Sequence, residues 1–173
     1  NNRGQIGDYS TFDSFSPMTV GFEEITSVSD VAIGFQFTCA IINQGDVYCW
    51  GNNNLGQSGS ESSSDVLSPN LVLSANGDPV ITLSTSTSSN FICALKYSGS
   101  LFCWGDNSDG QLGITEPSYS NTPQQIELEE NLSFEKLSVG TNYACGISNN
   151  SQLYCWGSNA NGKLGIGSEN DSS

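Results

Sequence analysis

Short stretches of alternating apolar and polar residues run along this chain, and no long apolar run has helical spacing. Four strands are predicted in the last third of the chain: Gln124–Leu128, Phe134–Val139, Tyr143–Ser148 and Gln152–Trp156. Asn149-Asn150-Ser151 separates the last two strands and suits a tight turn, because asparagine tolerates positive φ. The pattern predicts an all-β fold of short antiparallel strands.

One motif occurs three times in the chain: a cysteine, nine residues, and then Cys-Trp-Gly. The copies run from Cys39 to Cys49-Trp50-Gly51, from Cys93 to Cys103-Trp104-Gly105, and from Cys145 to Cys155-Trp156-Gly157. Together they contain all six cysteines and all three tryptophans. Self-similarity at a period of about fifty residues is the sequence signature of a repeat architecture.

A glycine-rich motif, Gly-Gln-x-Gly, follows each Cys-Trp-Gly and also opens the chain. Its copies are Gly4–Gly7, Gly56–Gly59, Gly110–Gly113 and Gly162–Gly165, with Lys163 in place of glutamine in the last. Most of these motif residues are best explained by packing and turn geometry. Apolar contacts between neighbouring repeats are predicted for Ile33, Ala40, Val47, Trp50, Leu83, Ala94, Leu101, Trp104, Val139, Ile147, Leu153 and Trp156.

The motif resembles the regulator of chromosome condensation repeat. The matching residues include Phe37, Cys39, Ala40, Tyr48 and Trp50 in the first copy, with counterparts in the other two. Phe37, Phe91 and Tyr143 stand where the family often has histidine, and Thr85-Ser86-Thr87-Ser88 replaces a usual strand sequence. The resemblance implies β-propeller blades of about four antiparallel strands, with three repeats forming a segment of a larger propeller or of a fibrous array.

Pro17, Pro69 and Pro123 recur at the repeat period and set the predicted boundaries. A loop over 1–16 continues from a preceding repeat. Blades follow over 17–68, 69–122 and 123–165, and a tail over 166–173 leads to a further blade. The second copy has two extra residues between its proline and its next cysteine, and these are expected in the turn Ala75–Asp78.

Each pair of cysteines is predicted to form a disulfide, because the two residues lie opposite one another, within one residue of register, in a hairpin. Opposed strand residues have Cα atoms roughly 4.5–5.5 Å apart, which a disulfide can span. The predicted pairs are Cys39–Cys49, Cys93–Cys103 and Cys145–Cys155. Disulfides indicate an oxidising compartment. Reduced, buried core cysteines are the alternative.

Three glycosylation sequons agree with an extracellular or cell-surface location. They begin at Asn131, Asn149 and Asn170. In a chain rich in asparagine and serine, chance occurrence is the alternative. The sequence shows neither a signal peptide nor a membrane span, so a mature or trimmed segment is expected.

Net charge and residue composition disfavour several classes of binding partner and of catalytic or metal site. Four basic residues against 18 acidic ones give a net charge of −14, which disfavours nucleic-acid binding. Without histidine and with paired cysteines, the chain has few groups for acid–base or nucleophilic catalysis, for a zinc site or for another metal or cofactor. Asp106–Gly110 has the oxygen-rich composition of a calcium loop, but the other copies do not keep its carboxylates.

These observations favour a non-enzymatic extracellular structural or adhesive repeat protein, such as a unit of a glycosylated surface fibre or coat. Its expected partners are copies of itself or other extracellular proteins. A secreted propeller that binds or inhibits a protein partner is the first alternative. The second is an intracellular guanine-nucleotide exchange factor-like propeller, as the founding members of the family would imply, and the disulfides and the sequons disfavour it.

Overall fold

The computed structural model describes residues 1–21 and 27–167 and confirms the all-β class. Eleven strands and one short 3-10 helix lie in this part of the chain. They are β1 Val28–Ile33, β2 Phe37–Ile42, β3 Asp46–Gly51, β4 Val66–Leu73, β5 Val80–Ser84, β6 Phe91–Lys96, β7 Leu101–Asp106, β8 Tyr119–Gln125, β9 Phe134–Val139, β10 Tyr143–Ser148, β11 Leu153–Gly157, and the helix Ala160–Gly162.

The strands form three antiparallel sheets in which sequence neighbours pair. The first sheet has the order β1-β2-β3-β4, the second β5-β6-β7-β8, and the third β9-β10-β11. Within the described residues the third sheet therefore has three strands. Blades of about four strands were predicted, and the first two sheets agree with that prediction.

The predicted strand Gln124–Leu128 does not open the third repeat, as the sequence pattern suggested. Instead, β8 pairs with β7 of the second sheet, with Gln124 opposite Cys103. Pro123 lies in β8 and Pro69 lies in β4, and both strands are the outer edges of their sheets. Edge strands tolerate proline because one side of the strand needs no N–H donor. The prolines therefore mark the last strand of a sheet, and the boundaries after 68 and 122 fall inside β4 and β8.

The two extra residues of the second repeat lie between β5 and β6 and not in the turn at 75–78. Ser84 is nine positions before its strand partner Cys93. The equivalent Ser138 is only seven positions before Cys145. Val80 and Phe134, which begin β5 and β9, are equally far from Pro69 and Pro123. The loop from Thr85 to Asn90 thus absorbs the insertion.

The core lies between sheets. We call the contact between the first and second sheets the first junction, and that between the second and third sheets the second junction. Buried residues of the first junction are Ala32, Phe37, Cys39, Ile41, Val47, Cys49, Val80, Leu83, Ile92, Ala94 and Trp104. Those of the second are Phe91, Cys93, Leu95, Leu101, Cys103, Leu112, Phe134, Val139, Ala144 and Trp156.

Most of the predicted contact residues are buried, but three are not. Ile33, Ile147 and Leu153 are exposed by 59%, 38% and 69%. Ile33 pairs with Thr38 in the first sheet, on the side of that sheet that turns away from the first junction. Ile147 and Leu153 pair with one another in the third sheet, on the side that turns away from the second junction.

Candidate functional site

Three disulfide bonds staple the central hairpin of each sheet. They join Cys39 to Cys49, Cys93 to Cys103, and Cys145 to Cys155, with Cα atoms 4.1 Å apart in each pair. The two cysteines of every pair are directly opposed in the strand register. The first two bonds are fully buried, whereas Cys145 and Cys155 are partly exposed. The third bond thus differs from the others in its access to solvent.

The glycine-rich loops hold the tryptophan of the following sheet. The indole Nε1 of Trp104 donates to the carbonyl oxygen of Gln57 at 3.2 Å across the first junction. Trp156 donates in the same way to the carbonyl of Gln111 at 3.1 Å across the second. The repeated tryptophan therefore joins two repeats by a hydrogen bond as well as by packing, because a buried indole N–H needs an acceptor.

A buried asparagine shapes each of these loops from within. Asn53 Oδ1 accepts from the backbone N–H of Ser58 at 3.0 Å, and Asn107 Oδ1 accepts from Leu112 N–H at 2.9 Å. Asn159 does the same for Leu164 at 3.0 Å. These asparagines belong to the repeated motif, but their hydrogen bonds inside the loops were not predicted from the sequence. Their fixed place, three residues after each motif tryptophan, is the signal that could have found them.

The candidate calcium loop has its carboxylates engaged by protein donors. Asp106 Oδ1 accepts from Ser108 N–H at 3.0 Å. Asp109 Oδ2 accepts from Asn142 Nδ2 at 2.7 Å, across the second junction. Over residues 1–21 and 27–167, no group of three or more Asp, Glu, Cys or His side chains is arranged to hold a metal ion.

A glycine at the tip of each of the first two hairpins contacts the next sheet directly. The carbonyl of Gly45 accepts from Val80 N–H at 3.2 Å, and that of Gly99 accepts from Phe134 N–H at 3.1 Å. Both glycines have positive φ, and a Cβ on either would lie within 2.6 Å of the next sheet's Pro79 or Ser133. At such a distance a side chain would force the neighbouring residue to shift. Ser151, with φ of 64°, stands at the same position of the third hairpin.

The third sheet presents an apolar surface where the other two sheets meet a neighbour. We call this surface the end face; it consists of Tyr143, Ile147, Leu153 and the bond between Cys145 and Cys155. A shallow groove of about 270 Å³ lies on it beside Ile147 and Leu153. The Nζ of Lys163 lies 5.4 Å from the centre of the Tyr143 ring at one border.

The N-terminal segment covers the opposite end of the stack. Trp50 Nε1 donates to the carbonyl of Gln5 at 2.9 Å, as the other tryptophans do to their loops. Val20 packs against the buried cluster of Ala40, Ile42 and Trp50. In the same segment, the Ser10 hydroxyl donates to Asp8 and lowers the pKa of that carboxyl below its usual value. The first sheet is thus covered by a loop of the same construction as those at the junctions.

Two of the three sequon asparagines lie side by side. Asn131 and Asn149 are both exposed, and Asn149 Nδ2 donates to the carbonyl of Asn131 at 3.0 Å. Asn149 is in the turn between β10 and β11, as the sequence predicted. Asn170 lies outside the described residues. Of the described helical structure, nothing is long and apolar enough to span a membrane.

Comparison with known protein families identifies the repeat. Two models of the regulator of chromosome condensation (RCC1) repeat match the chain, one over 28–57, 84–111 and 134–163, and the other over 44–95 and 98–147. Together these ranges include all three disulfide motifs.

Curated relatives are similar over nearly the whole chain. The human (Homo sapiens) E3 ubiquitin-protein ligase HERC2 is 29% identical over 170 residues, which cover 96% of this chain and 4% of HERC2. The Ultraviolet-B receptor UVR8 of Arabidopsis thaliana is 29% identical over 171 residues, which cover 99% of this chain and 38% of UVR8. The chain thus spans well under half of the length of either relative.

Solved structures share the fold. Yeast RCC1 (Prp20), in a crystal structure in which Kap60 is bound to it, has a TM-score of 0.73 at 21% identity, covering 84% of this chain and 35% of that one. Human WBSCR16 has a TM-score of 0.63 at 21% identity, covering 99% of this chain and 59% of that one. These similarities place the three sheets among β-propeller blades.

Proposed function

Because this chain belongs to the RCC1 repeat family, we propose that it is a non-enzymatic, protein-binding propeller segment that acts in an extracellular structure. The observation that carries the proposal is the exposed end face of the third sheet. Its residues have equivalents in the first two sheets, and there they are contact residues between sheets. A surface of this composition is suited to contact with a further protein sheet, whether that sheet comes from a following repeat, from a copy of this chain or from another protein.

The exposure of equivalent residues supports a contact role for the end face. Leu153 is 69% exposed, whereas its equivalents Val47 and Leu101 are 0% exposed. Contiguous apolar surface that remains exposed marks interaction sites more often than it marks neutral surface. The disulfide beneath this face holds its two strands in register, so the surface is presented without a large ordering cost on binding.

The disulfides and the sequons support the extracellular part of the proposal. Each disulfide closes a short loop and contributes about 2–3 kcal/mol in the chain-entropy model. Such bonds persist in oxidising compartments. Exposed Asn131 and Asn149 offer room for glycans on one surface. Glycans there, together with a net charge of −14, suit a hydrated surface coat or fibre.

Mass spectrometry of the native protein, isolated without reductant, tests the proposed extracellular location. We expect the pairs Cys39–Cys49, Cys93–Cys103 and Cys145–Cys155, and a mass loss at Asn131 and Asn149 on enzymatic removal of N-glycans. Six free thiols with unmodified asparagines would overturn the extracellular proposal. That result would favour the intracellular exchange factor-like alternative.

Sedimentation velocity combined with electron microscopy tests the fibre. We expect the isolated chain to form larger species, and we expect Leu153→Asp to dissolve them because it places a charge in the end face. Tyr97→Asp is the matched control, since Tyr97 is 77% exposed and lies outside the end face. If only discrete monomers appear at every concentration, the proposal of a fibre is wrong. The end face would then be better explained by a secreted module that binds a different protein.

A further inference from the structure

A lysine is buried in the first junction, and its ammonium forms no ion pair with any carboxylate of residues 1–21 and 27–167. Lys96 is 9% exposed, and its Nζ donates to the carbonyl oxygens of Ser74 at 3.3 Å and Ala75 at 3.4 Å. The same Nζ lies 5.4 Å from the centre of the Phe102 ring. Backbone carbonyls and an aromatic ring are groups that stabilise a desolvated ammonium. The first junction therefore contains an alkylammonium site that the chain fills with its own side chain.

The second junction has the equivalent residues but not the lysine. Ser148 stands where Lys96 stands, three residues after the first cysteine of its repeat. Tyr154 replaces Phe102 immediately before the second cysteine. Leu128 and Glu129 take the places of Ser74 and Ala75, five and six residues after the repeated proline.

A pocket of about 240 Å³ opens beside this position in the second junction; Leu128 and Tyr154 line it, whereas Ser148 and Glu129 do not. Its lining includes the aromatic residues Phe134, Tyr154 and Trp156, the aliphatic residues Leu128 and Leu132, and the acidic residue Glu127. With Ile126, which also lines it, the pocket combines three aromatic rings, three aliphatic side chains and one carboxylate, in a chain with four basic residues.

The second junction has an aromatic residue and a glycine at two positions where the first junction has valine and alanine. Phe134 occupies the place of Val80, and its ring centre lies 5.8 Å from the ring centres of both Tyr154 and Trp156. Gly146 stands where the second sheet has Ala94, next to the Phe134 ring, and a Cβ there would lie 2.6 Å from that ring. Glycine thus makes room for the third ring. Aromatic faces attract cations, and enclosure by several rings strengthens that attraction.

We propose that this pocket binds an alkylammonium group, namely the side chain of a lysine on a partner protein. The four-carbon stem would contact Leu128 and Leu132, and the ammonium would lie against the ring surfaces that face the pocket, near the Glu127 carboxylate. Lys96 supplies the internal precedent for the occupant. The identity of the occupant as a partner's lysine rests on the proposed protein-binding function, whereas the preference of the pocket for an ammonium does not.

Titration with n-butylammonium chloride, which has the length and charge of a lysine side chain, tests the pocket. We expect saturable NMR shifts at the Trp156 indole N–H and at the Tyr154 and Phe134 rings. The neutral 1-butanol should bind about tenfold more weakly, as expected if cation–π attraction in a partly desolvated site decides the preference. Equal binding of both compounds, or no saturable shift, would overturn the proposal.

Three substitutions locate the binding. Ser148→Lys should supply an internal occupant and abolish the butylammonium shifts. Glu127→Gln should weaken binding several-fold by removing the carboxylate, while Glu130→Gln, which removes an acidic group outside the lining, should not. Near-UV circular dichroism checks that each variant is folded. Butylammonium shifts that survive Ser148→Lys would place the binding elsewhere.

Failure of this test is distinguishable from failure of the proposed function. The amine titration addresses the pocket alone and needs neither assembly nor a partner. The disulfide, glycan and end-face measurements address the function and do not depend on whether an amine binds in the pocket. A pocket without preference for the amine would therefore leave the protein-binding proposal standing.

Discussion

The first and third sheets carry equivalent residues on equivalent faces, with opposite exposure. Ile41 is 2% exposed where it meets the second sheet, whereas Ile147, its counterpart on the end face, is 38% exposed. The disulfide under the first face is fully buried, and the one under the end face is partly exposed. The repeat therefore fixes which side chains share a face. What packs against that face decides whether it is core or surface.

The largest expected difference comes from a charge placed at the same position of each face. Ile41→Asp should lower the free energy of unfolding by about 4 kcal/mol, because the carboxylate would be buried without a partner. Ile147→Asp should cost less than about 1 kcal/mol, because water reaches that carboxylate. Urea denaturation followed by tryptophan fluorescence measures both values.

A milder pair of substitutions keeps this comparison testable if Ile41→Asp does not fold. Ile41→Ala should cost about 3 kcal/mol as a cavity in the core, and Ile147→Ala should cost less than about 1 kcal/mol. Equal losses at the two positions would contradict the difference in burial.

The next effect concerns the disulfides. Under native conditions dithiothreitol should reduce Cys145–Cys155 well before Cys39–Cys49, because the reductant must reach the sulfur atoms. Reduction of any one of these disulfides should lower the free energy of unfolding by about 2–3 kcal/mol. Timed alkylation with mass spectrometry gives the order of reduction, with the buried Cys93–Cys103 bond as the internal control. Simultaneous reduction of all three bonds would mean that burial does not protect them.

The smallest effect comes from the hairpin tips, where Gly99 contacts the next sheet and Ser151 does not. Gly99→Ser should cost about 2 kcal/mol, because its Cβ would collide with Ser133 at a positive φ. Ser151→Gly should change stability by less than about 1 kcal/mol. Thermal denaturation of protein produced without glycans measures both, since Ser151→Gly also destroys the Asn149 sequon. A Gly99→Ser variant as stable as the unchanged protein would contradict the close contact between Gly99 and the next sheet.

Local patterns predicted the hairpins well. The predicted strands Phe134–Val139 and Tyr143–Ser148 coincide with β9 and β10, and the cysteine spacing placed each pair within one residue of its register. Strand alternation and cross-strand pairing are short-range properties, so one repeat contains enough information to specify them. The sequons at Asn131, Asn149 and Asn170 remain predictions.

The grouping of strands into sheets could not be obtained from the period. A period states how far apart equivalent residues lie, but it does not state where one sheet ends. The segment around Pro123 could have followed either neighbour, and its pairing with β7 was decided by contacts across the sheet. Proline as an edge-strand residue was the available clue.

Most of the apolar residues predicted to lie between repeats are buried there, but the specific hydrogen bonds and tip contacts between repeats were not predicted. The bond from Trp104 to the Gln57 carbonyl, the tip contact of Gly99 and the ammonium site of Lys96 each join residues from different strands or different sheets. Sequence repetition marks such residues as important, but it does not say which of them meet. Their roles emerge only when neighbouring sheets are in place.

The amino-acid sequence alone determined the all-β repeat, the three stapled hairpins and the acidic, histidine-free composition, because these depend on residue type and on short spacings. Tertiary structure alone decided which faces are buried, which loop receives which tryptophan, and where the second junction leaves a pocket in place of a lysine. Those properties depend on the packing of one sheet against another, so equivalent residues differ in burial and in contacts according to which sheet or loop covers them.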